Sequence, residues 1–196
     1  VPHDEFPGIS ATKETNRSLS LSRQSLMEAL YSVAYAASTS MIRPELGSVY
    51  LKVEGGKLTT VATDSFRLAE KTVLDTSGKG DDEVLIPLKH VQEIIHMLEK
   101  IGSEEVSISI DDSQLLLIAD SVRFVSRVVD GNFPNYKEII PKTFATEATV
   151  LKGDFTEALR KARVFSGSDQ HVGFHVYPKK KVFDITAQSA AIGEMS

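Results

Sequence analysis

Residues 55–68 read Gly55-Gly56-Lys57-Leu58-Thr59-Thr60-Val61-Ala62-Thr63-Asp64-Ser65-Phe66-Arg67-Leu68. At a shift of 56 residues, Asp111-Asp112-Ser113-Gln114-Leu115-Leu116-Leu117-Ile118-Ala119-Asp120-Ser121-Val122-Arg123-Phe124 lies over them without a gap. Each copy opens on turn-forming residues, passes through an apolar run, reaches Asp-Ser-x-Arg, and continues into a second run ending at Thr72-Val73 or Val128-Val129. Turn residues between two strand-like runs predict a hairpin. A hairpin that recurs makes the chain a duplication before any element outside it is read.

Working outward, a helix precedes each hairpin. Leu26, Ala29, Leu30, Val33, Ala34 and Ala37 recur at helical spacing in the first copy, and Val91, Ile94, Ile95, Leu98 and Ile101 in the second; each set forms one buried stripe. Leu19-Ser20-Leu21 precedes the first helix with Ser22 as N-cap, and Val84-Leu85-Ile86 precedes the second with Pro87 at its start. Val49 to Val53 and Val106 to Ile110 supply the remaining strands. The unit is two copies of strand, helix, three strands, an α+β arrangement with helices on one face of antiparallel sheets.

A longer repeat overlies the first. Phe6-Pro7-Gly8 returns as Phe133-Pro134-Asn135, Glu28-Ala29-Leu30 as Glu157-Ala158-Leu159, and the strand pair from Val49 to Ser65 as Val172 to Ser189. Residues 13–142 are therefore expected to form one complete domain, residues 1–12 the tail of a preceding one, and residues 143–196 the first half of a following one. On this reading the chain is a fragment of a longer protein.

Of 196 residues, 41% are hydrophobic and 25% charged, with 12 Gly and 7 Pro, a globular composition that excludes disordered and collagenous classes. No uninterrupted apolar run exceeds five residues, as at Leu115 to Ala119, against roughly 20 for a membrane span. The absence of cysteine excludes disulfides, thiolate nucleophiles and Cys-based metal sites and fits a reducing compartment; the cytoplasm is the expected location and no membrane partner is expected. A formal charge of −5 gives no global attraction to nucleic acid, so such a partner requires a locally basic surface.

Enzyme signatures are absent class by class. No Gly-rich loop ends in Gly-Lys-Ser/Thr, no Gly-x-Gly-x-x-Gly follows a strand, and there is no Gly-x-Ser-x-Gly elbow. His171 and His175 are four residues apart in a strand pattern, which separates the rings, so no metal site and no cofactor are expected. Asp64 and Asp120 occupy equivalent positions and are the candidates for a small α+β hydrolase. Turn chemistry accounts for them better, since an Asp after a strand bonds its own turn backbone. No catalytic residue is assigned.

Ala62-Thr63-Asp64-Ser65-Phe66-Arg67-Leu68-Ala69, Val129-Asp130-Gly131-Asn132-Phe133-Pro134-Asn135-Tyr136 and Ile140-Pro141 together resemble the bacterial DNA polymerase III beta subunit family, the replicative sliding clamps. The family pattern is Ala-Thr-Asp-Gly-His-Arg-Leu, from which Ser65 and Phe66 depart, and the extra aromatic is expected to reshape whatever that loop binds. The resemblance implies a DNA-clamp fold and a non-enzymatic processivity factor: a head-to-tail homodimer of three-domain subunits, when full length, encircling duplex DNA. It further implies a cleft that docks short peptides of the DNA polymerase III alpha subunit, the clamp loader and other proteins carrying the clamp-binding motif. Carried over residue by residue, the wall of that cleft is Leu46, Thr63, Phe66, Arg67, Leu68, Pro134 and Ile139. Leu68 and Ile139 supply apolar surface, Pro134 a rigid rim, and Thr63 or Arg67 a polar group that orients the peptide. The DNA-facing candidates are Lys89, His96 and Lys100 on the second helix, in a mixed rather than basic set with Glu93, and Arg160 and Lys161 on the third. A tandem-repeat protein-binding module unrelated to replication shares the repeated halves but not these motifs.

Overall fold

Ser22 ends the first strand, β1 (Ser18–Ser22), and caps the first helix, α1 (Arg23–Ala34), its hydroxyl accepting the Ser25 amide at 3.0 Å. A computed structural model describes residues 18–40, 42–74, 76–78, 81–111, 113–167, 171–189 and 193–195; Phe6-Pro7-Gly8 and the expected tail of residues 1–12 lie outside them. Strands β2 (Ser48–Glu54), β3 (Lys57–Thr63) and β4 (Leu68–Val73) follow α1. The short β5 (Thr76–Gly78) precedes β6 (Asp82–Pro87), which leads into α2 (Leu88–Lys100) and the meander β7 (Glu105–Ile110), β8 (Gln114–Ala119) and β9 (Val122–Arg127). Pro87, in extended conformation, stands at the boundary where its missing amide hydrogen costs nothing. Leu26, Ala29, Leu30 and Val33 of α1 are buried, as are Val91, Ile94 and Leu98 of α2, with Ile95 and Ile101 packed at the margin.

The two halves are interlocked. One sheet runs β5-β1-β7-β8-β9 and the other β4-β3-β2-β6, so the lead strand of each half adds to the meander of the other. The register is the same in both: Leu21 lies opposite Val106 and Leu19 opposite Ile108, while Ile86 lies opposite Val49 and Val84 opposite Leu51. Buried side chains from both sheets and both helices form a single core. Two polar groups tie it together. Thr60 in β3, fully buried, donates its hydroxyl to the Ala29 carbonyl of α1 at 2.9 Å. Arg23 donates through Nη1 to the Leu98 carbonyl at 2.8 Å, placing a cation at the carbonyl end of α2.

Turn chemistry explains how each hairpin closes, and why the gapless overlay of the copies fails after β3 and β8. Gly55 and Gly56 (φ 56° and 74°) close β2 onto β3 in the conformation that a two-residue hairpin turn favours. Asp111 closes β7 onto β8 by accepting the Ser113 and Gln114 amides at 2.8 and 2.7 Å. Beyond that, Thr63 pairs with Leu68 across a four-residue loop, whereas Ala119 pairs with Val122 across two residues, with Asp120 itself at φ 52°. Arg67 therefore sits in a loop while Arg123 lies in β9. That strand ends at Arg127 rather than at the expected Val128-Val129, although the Val129 amide still donates to the Leu85 carbonyl of β6 at 2.9 Å. β5 was not anticipated; it pairs with β1 through Gly78, where a Cβ would collide with the Ser18 carbonyl oxygen.

The chain divides between Pro134 and Asn135 into two compact units. In the second, a short 3-10 turn (Tyr136–Glu138) is followed by α3 (Lys152–Phe165) and the strands β10 (Gly173–Tyr177), β11 (Val182–Ser189) and β12 (Gly193–Met195), paired in that order. α3 and β10–β12 repeat α1 and β2–β4, as the longer repeat predicts. Ala162, Ile185 and Ala187 form the small core, with Phe155 and Phe183 against it.

Candidate functional site

The loop between β3 and β4 is built by the two side chains that flank its first turn. Thr63, buried at the end of β3, donates its hydroxyl to the Arg67 carbonyl at 2.7 Å and accepts the Ser65 amide at 3.2 Å. Asp64 Oδ1 accepts the Phe66 and Arg67 amides, each at 3.0 Å, and Oδ2 accepts from Arg67 Nε at 3.0 Å. Both carboxylate oxygens are thus committed to the loop. Ser65 takes a left-handed conformation (φ 78°), and the next residue, Phe66, points into solvent with 98% of its surface exposed. The Arg67 guanidinium lies over the Tyr35 ring, 5.8 Å from its centre.

The Asp64 carboxyl is held below its ordinary value of 3.8, chiefly by the Arg67 and Phe66 amides and then by the Arg67 charge. Such a group is poorly suited to act as a general base near neutral pH. Because the folded value is depressed, its contribution to the closed loop is complete above the ordinary value and is lost as pH falls through the folded one. In an NMR titration the Phe66 and Arg67 amides are expected to hold their positions through the ordinary aspartate range and to move only below it. A midpoint within that range or above would show that this carboxylate does not close the loop.

Leu68 opens β4 opposite Thr63 and is half-buried. Leu46 is buried in the turn before β2, its amide donating to the Arg43 carbonyl at 3.0 Å and its carbonyl accepting from Ser38 at 2.8 Å. Pro134 is half-buried beside Phe133, whose ring stacks on Tyr50 of β2 with centres 4.9 Å apart and planes 7° from parallel. Ile139, in the second unit, is 70% exposed. Leu68 and Ile139 are therefore available surface rather than sealed core. Phe66 and Arg67 lie in one loop that Thr63 and Leu68 bracket at the strand ends; Leu46 and Pro134 sit on separate segments of the same unit. Tyr35 escaped the sequence reading, which took α1 for its buried stripe. Its signal was Tyr31 and Tyr35 one turn apart on the opposite face, both exposed. A cavity of about 260 Å³ in the first unit, lined by Tyr50, Glu83, Leu85, Asp111, Val129 and Phe133 among others, includes none of the predicted wall residues.

Lys89, His96 and Lys100 are exposed along α2, with His96 Nδ1 3.6 Å from Glu99. Arg160 and Lys161 are exposed on α3, Lys161 paired with Glu157 at 2.9 Å. His175 lies in β10, and among the described residues no group of three or more His, Asp or Glu is arranged to hold a metal ion.

The same fold recurs in solved structures. The crystal structure of a DNA polymerase sliding clamp from Bacillus subtilis covers all of the chain at 31% identity and a TM-score of 0.88, and that of a DNA polymerase III beta subunit from Thermotoga maritima covers 99% at 27% identity and 0.86. The fold is that of the DNA clamps. A family model described as the DNA polymerase III beta subunit, central domain, matches residues 20–135. The chain belongs to the DNA polymerase III beta subunit family. A beta sliding clamp of Bacillus subtilis (strain 168) is 32% identical over 195 residues, 98% of this chain but 51% of the relative; the chain spans about half the length of the curated relatives it matches.

Proposed function

We propose that this chain serves as part of a replicative sliding clamp, a non-catalytic processivity factor that surrounds duplex DNA and tethers the replicative polymerase. The family-model match over residues 20–135 carries this reading. Residues 13–142 correspond to the middle clamp domain, residues 1–12 to the end of the one before it, and residues 143–196 to the first half of the one after. In a protein of the relatives' full length, two subunits close the ring. The Asp64 carboxylate, with both oxygens bonded inside its own loop, speaks against that residue as a general base.

The loop wall of Thr63, Phe66, Arg67 and Leu68, with Leu46 and Pro134, is the first unit's contribution to a peptide-docking surface, and Ile139 is a further contact assigned by resemblance. Its ligands are the clamp-binding segments of the polymerase alpha subunit, the clamp loader and similar proteins. Leu68 offers apolar area and Arg67 a fixed cation, the combination that small peptide sites use for affinity and orientation. Titration with a Gln-Leu-x-Leu-Phe peptide is expected to shift Leu46, Thr63, Leu68 and Ile139 first, and Leu68→Glu to weaken binding about tenfold or more. Shifts confined to α3 at saturating peptide would overturn the assignment.

Lys89, His96, Lys100, Arg160 and Lys161 are proposed to face duplex phosphates, an interaction that permits sliding because it reads no sequence. Binding by this chain is expected to be weak, indifferent to sequence and steeply salt-dependent. Arg160→Glu with Lys161→Glu is expected to reduce the salt slope by about one for each phosphate that is no longer neutralised. Binding that ignores salt, measured by fluorescence anisotropy, would refute the electrostatic account.

A further inference from the structure

Among the wall residues Arg67 alone carries a charge, and its backbone is fixed at both ends. The Arg67 amide donates to Asp64 Oδ1 at 3.0 Å and its carbonyl accepts the Thr63 hydroxyl at 2.7 Å. The side chain is held less firmly. Nε donates to Asp64 Oδ2 at 3.0 Å, but the Arg67 side chain is more than half exposed, and an ion pair in such a setting contributes little by itself. One in-plane bond also allows the guanidinium to turn about it. What limits that turning is a contact on its face, the Tyr35 ring, whose centre lies 5.8 Å from Arg67 Cζ.

The fold fixes the position of that ring from two directions. Tyr35 closes α1 in helical conformation (φ −64°, ψ −21°) and is followed by the buried Ala36 and Ala37, whose amides donate to the Val33 and Ala34 carbonyls at 2.9 and 3.2 Å. Two turns before Tyr35 on the same helix face, Glu28 pairs with Lys71 of β4. Lys71 stands four residues after Arg67, in register with Ala69 and Val73, which β4 buries in the shared core. α1 and β4 are thus joined at two rungs, Glu28 to Lys71 and Tyr35 to Arg67. The first rung, with the buried Thr60 bond to the Ala29 carbonyl, sets the helix against the sheet, and the second is where that setting brings an aromatic face to a cation.

We infer that Tyr35 is a positioning residue of the docking surface: its ring and the Asp64 carboxylate together preset the Arg67 guanidinium as a donor to an oxygen acceptor of the docked peptide. The inference rests on the docking reading given above. The bond to Asp64 uses Nε alone, so the Nη hydrogens are the ones offered to a ligand, and a planar guanidinium suits such forked donation. Ordering a long side chain on binding costs affinity, and a cation that is already stacked has less order to gain. Only the ring face takes part, so Tyr35→Phe preserves the device and Tyr35→Leu removes it.

The test is a Tyr35 series in the 196-residue chain, titrated with the Gln-Leu-x-Leu-Phe peptide. The Tyr35 side chain is exposed, so neither variant opens the core. Tyr35→Leu is expected to weaken binding about two- to tenfold, the range for ordering one long side chain, and Tyr35→Phe to bind as the parent does. In an Arg67→Met background Tyr35→Leu is expected to change nothing further, because the two residues act as one. Tyr31→Leu removes another exposed tyrosine, one turn earlier, and is expected to leave affinity unchanged. Before peptide is added, the Arg67 Nε–H signal in an NMR spectrum is expected to lose its ring-induced upfield shift in Tyr35→Leu and to keep it in Tyr35→Phe. Equal affinity of Tyr35→Leu and parent, where Leu68→Glu does weaken binding, would overturn the inference and leave the docking reading standing. So would additive effects of Tyr35→Leu and Arg67→Met. Binding indifferent to Leu68→Glu would overturn the docking reading and this inference with it.

Discussion

Expressed as separate polypeptides, residues 18–78 and 82–134 are each expected to show no cooperative unfolding transition, and mixing them is expected to restore one. Leu19 and Leu21 of β1 are each 4% exposed because they lie in the sheet of the second half, and Val84 and Ile86 of β6, at 6% and 1%, lie in that of the first. Full burial of an aliphatic side chain contributes about 1.5–3 kcal/mol, so these four alone account for on the order of 6–12 kcal/mol. That is comparable with the whole stability of an ordinary domain, about 5–15 kcal/mol. Separation also removes the packing of α1 against α2 and the Arg23 bond to Leu98. Urea titrations followed by circular dichroism of each piece and of the mixture test this. A sigmoidal transition in either piece alone would show that a half can close its own sheet.

Leu30→Ala is expected to destabilise the first unit by about 2–5 kcal/mol, through lost transfer free energy and the cavity left behind. Leu30 is 1% exposed and sits in a core to which both sheets and both helices contribute, so the space it vacates has few neighbours free to fill it. Tyr31→Ala, one residue along the same helix but 72% exposed, is expected to change stability by no more than about 0.5 kcal/mol. Guanidinium unfolding of the pair checks both expectations. A Leu30→Ala midpoint close to the parent's, at unchanged slope, would mean that the site collapses around the missing methyl groups.

Much of this architecture was legible because its signals are local. The Ser22 cap, the stripes on α1 and α2, the Gly55-Gly56 turn and the Asp64 turn each depend on residues within a turn or two of one another. Strand exchange was not legible, because Leu19-Ser20-Leu21 has the same alternation whichever meander it joins. The two copies of Asp-Ser-x-Arg looked equivalent, yet Asp64 gathers two amides into a four-residue loop while Asp120 takes the left-handed position of a tight hairpin. Val122 and Phe124 suit a strand, and their side chains, not the shared motif, carry the second copy directly into β9. At the candidate site, Thr63, Arg67 and Leu68 were found from their motif. Tyr35 reaches Arg67 only through the fold, and no spacing along the chain announces that pairing.

The crossing of lead strands between halves also sets a timetable. β1 pairs with β7, so Leu21 finds its partner Val106 only after 84 intervening residues have been made. At a synthesis rate of roughly 5–20 residues per second, β1 waits on the order of 4–17 s for that partner. α1 and the β2–β3 hairpin can form in that interval, but the sheet that holds β1 cannot. Non-local pairing of this kind slows folding because loop closure precedes its reward. During that interval the exposed faces of β1 and β2 are a stretch of nascent chain that a ribosome-associated chaperone has time to hold.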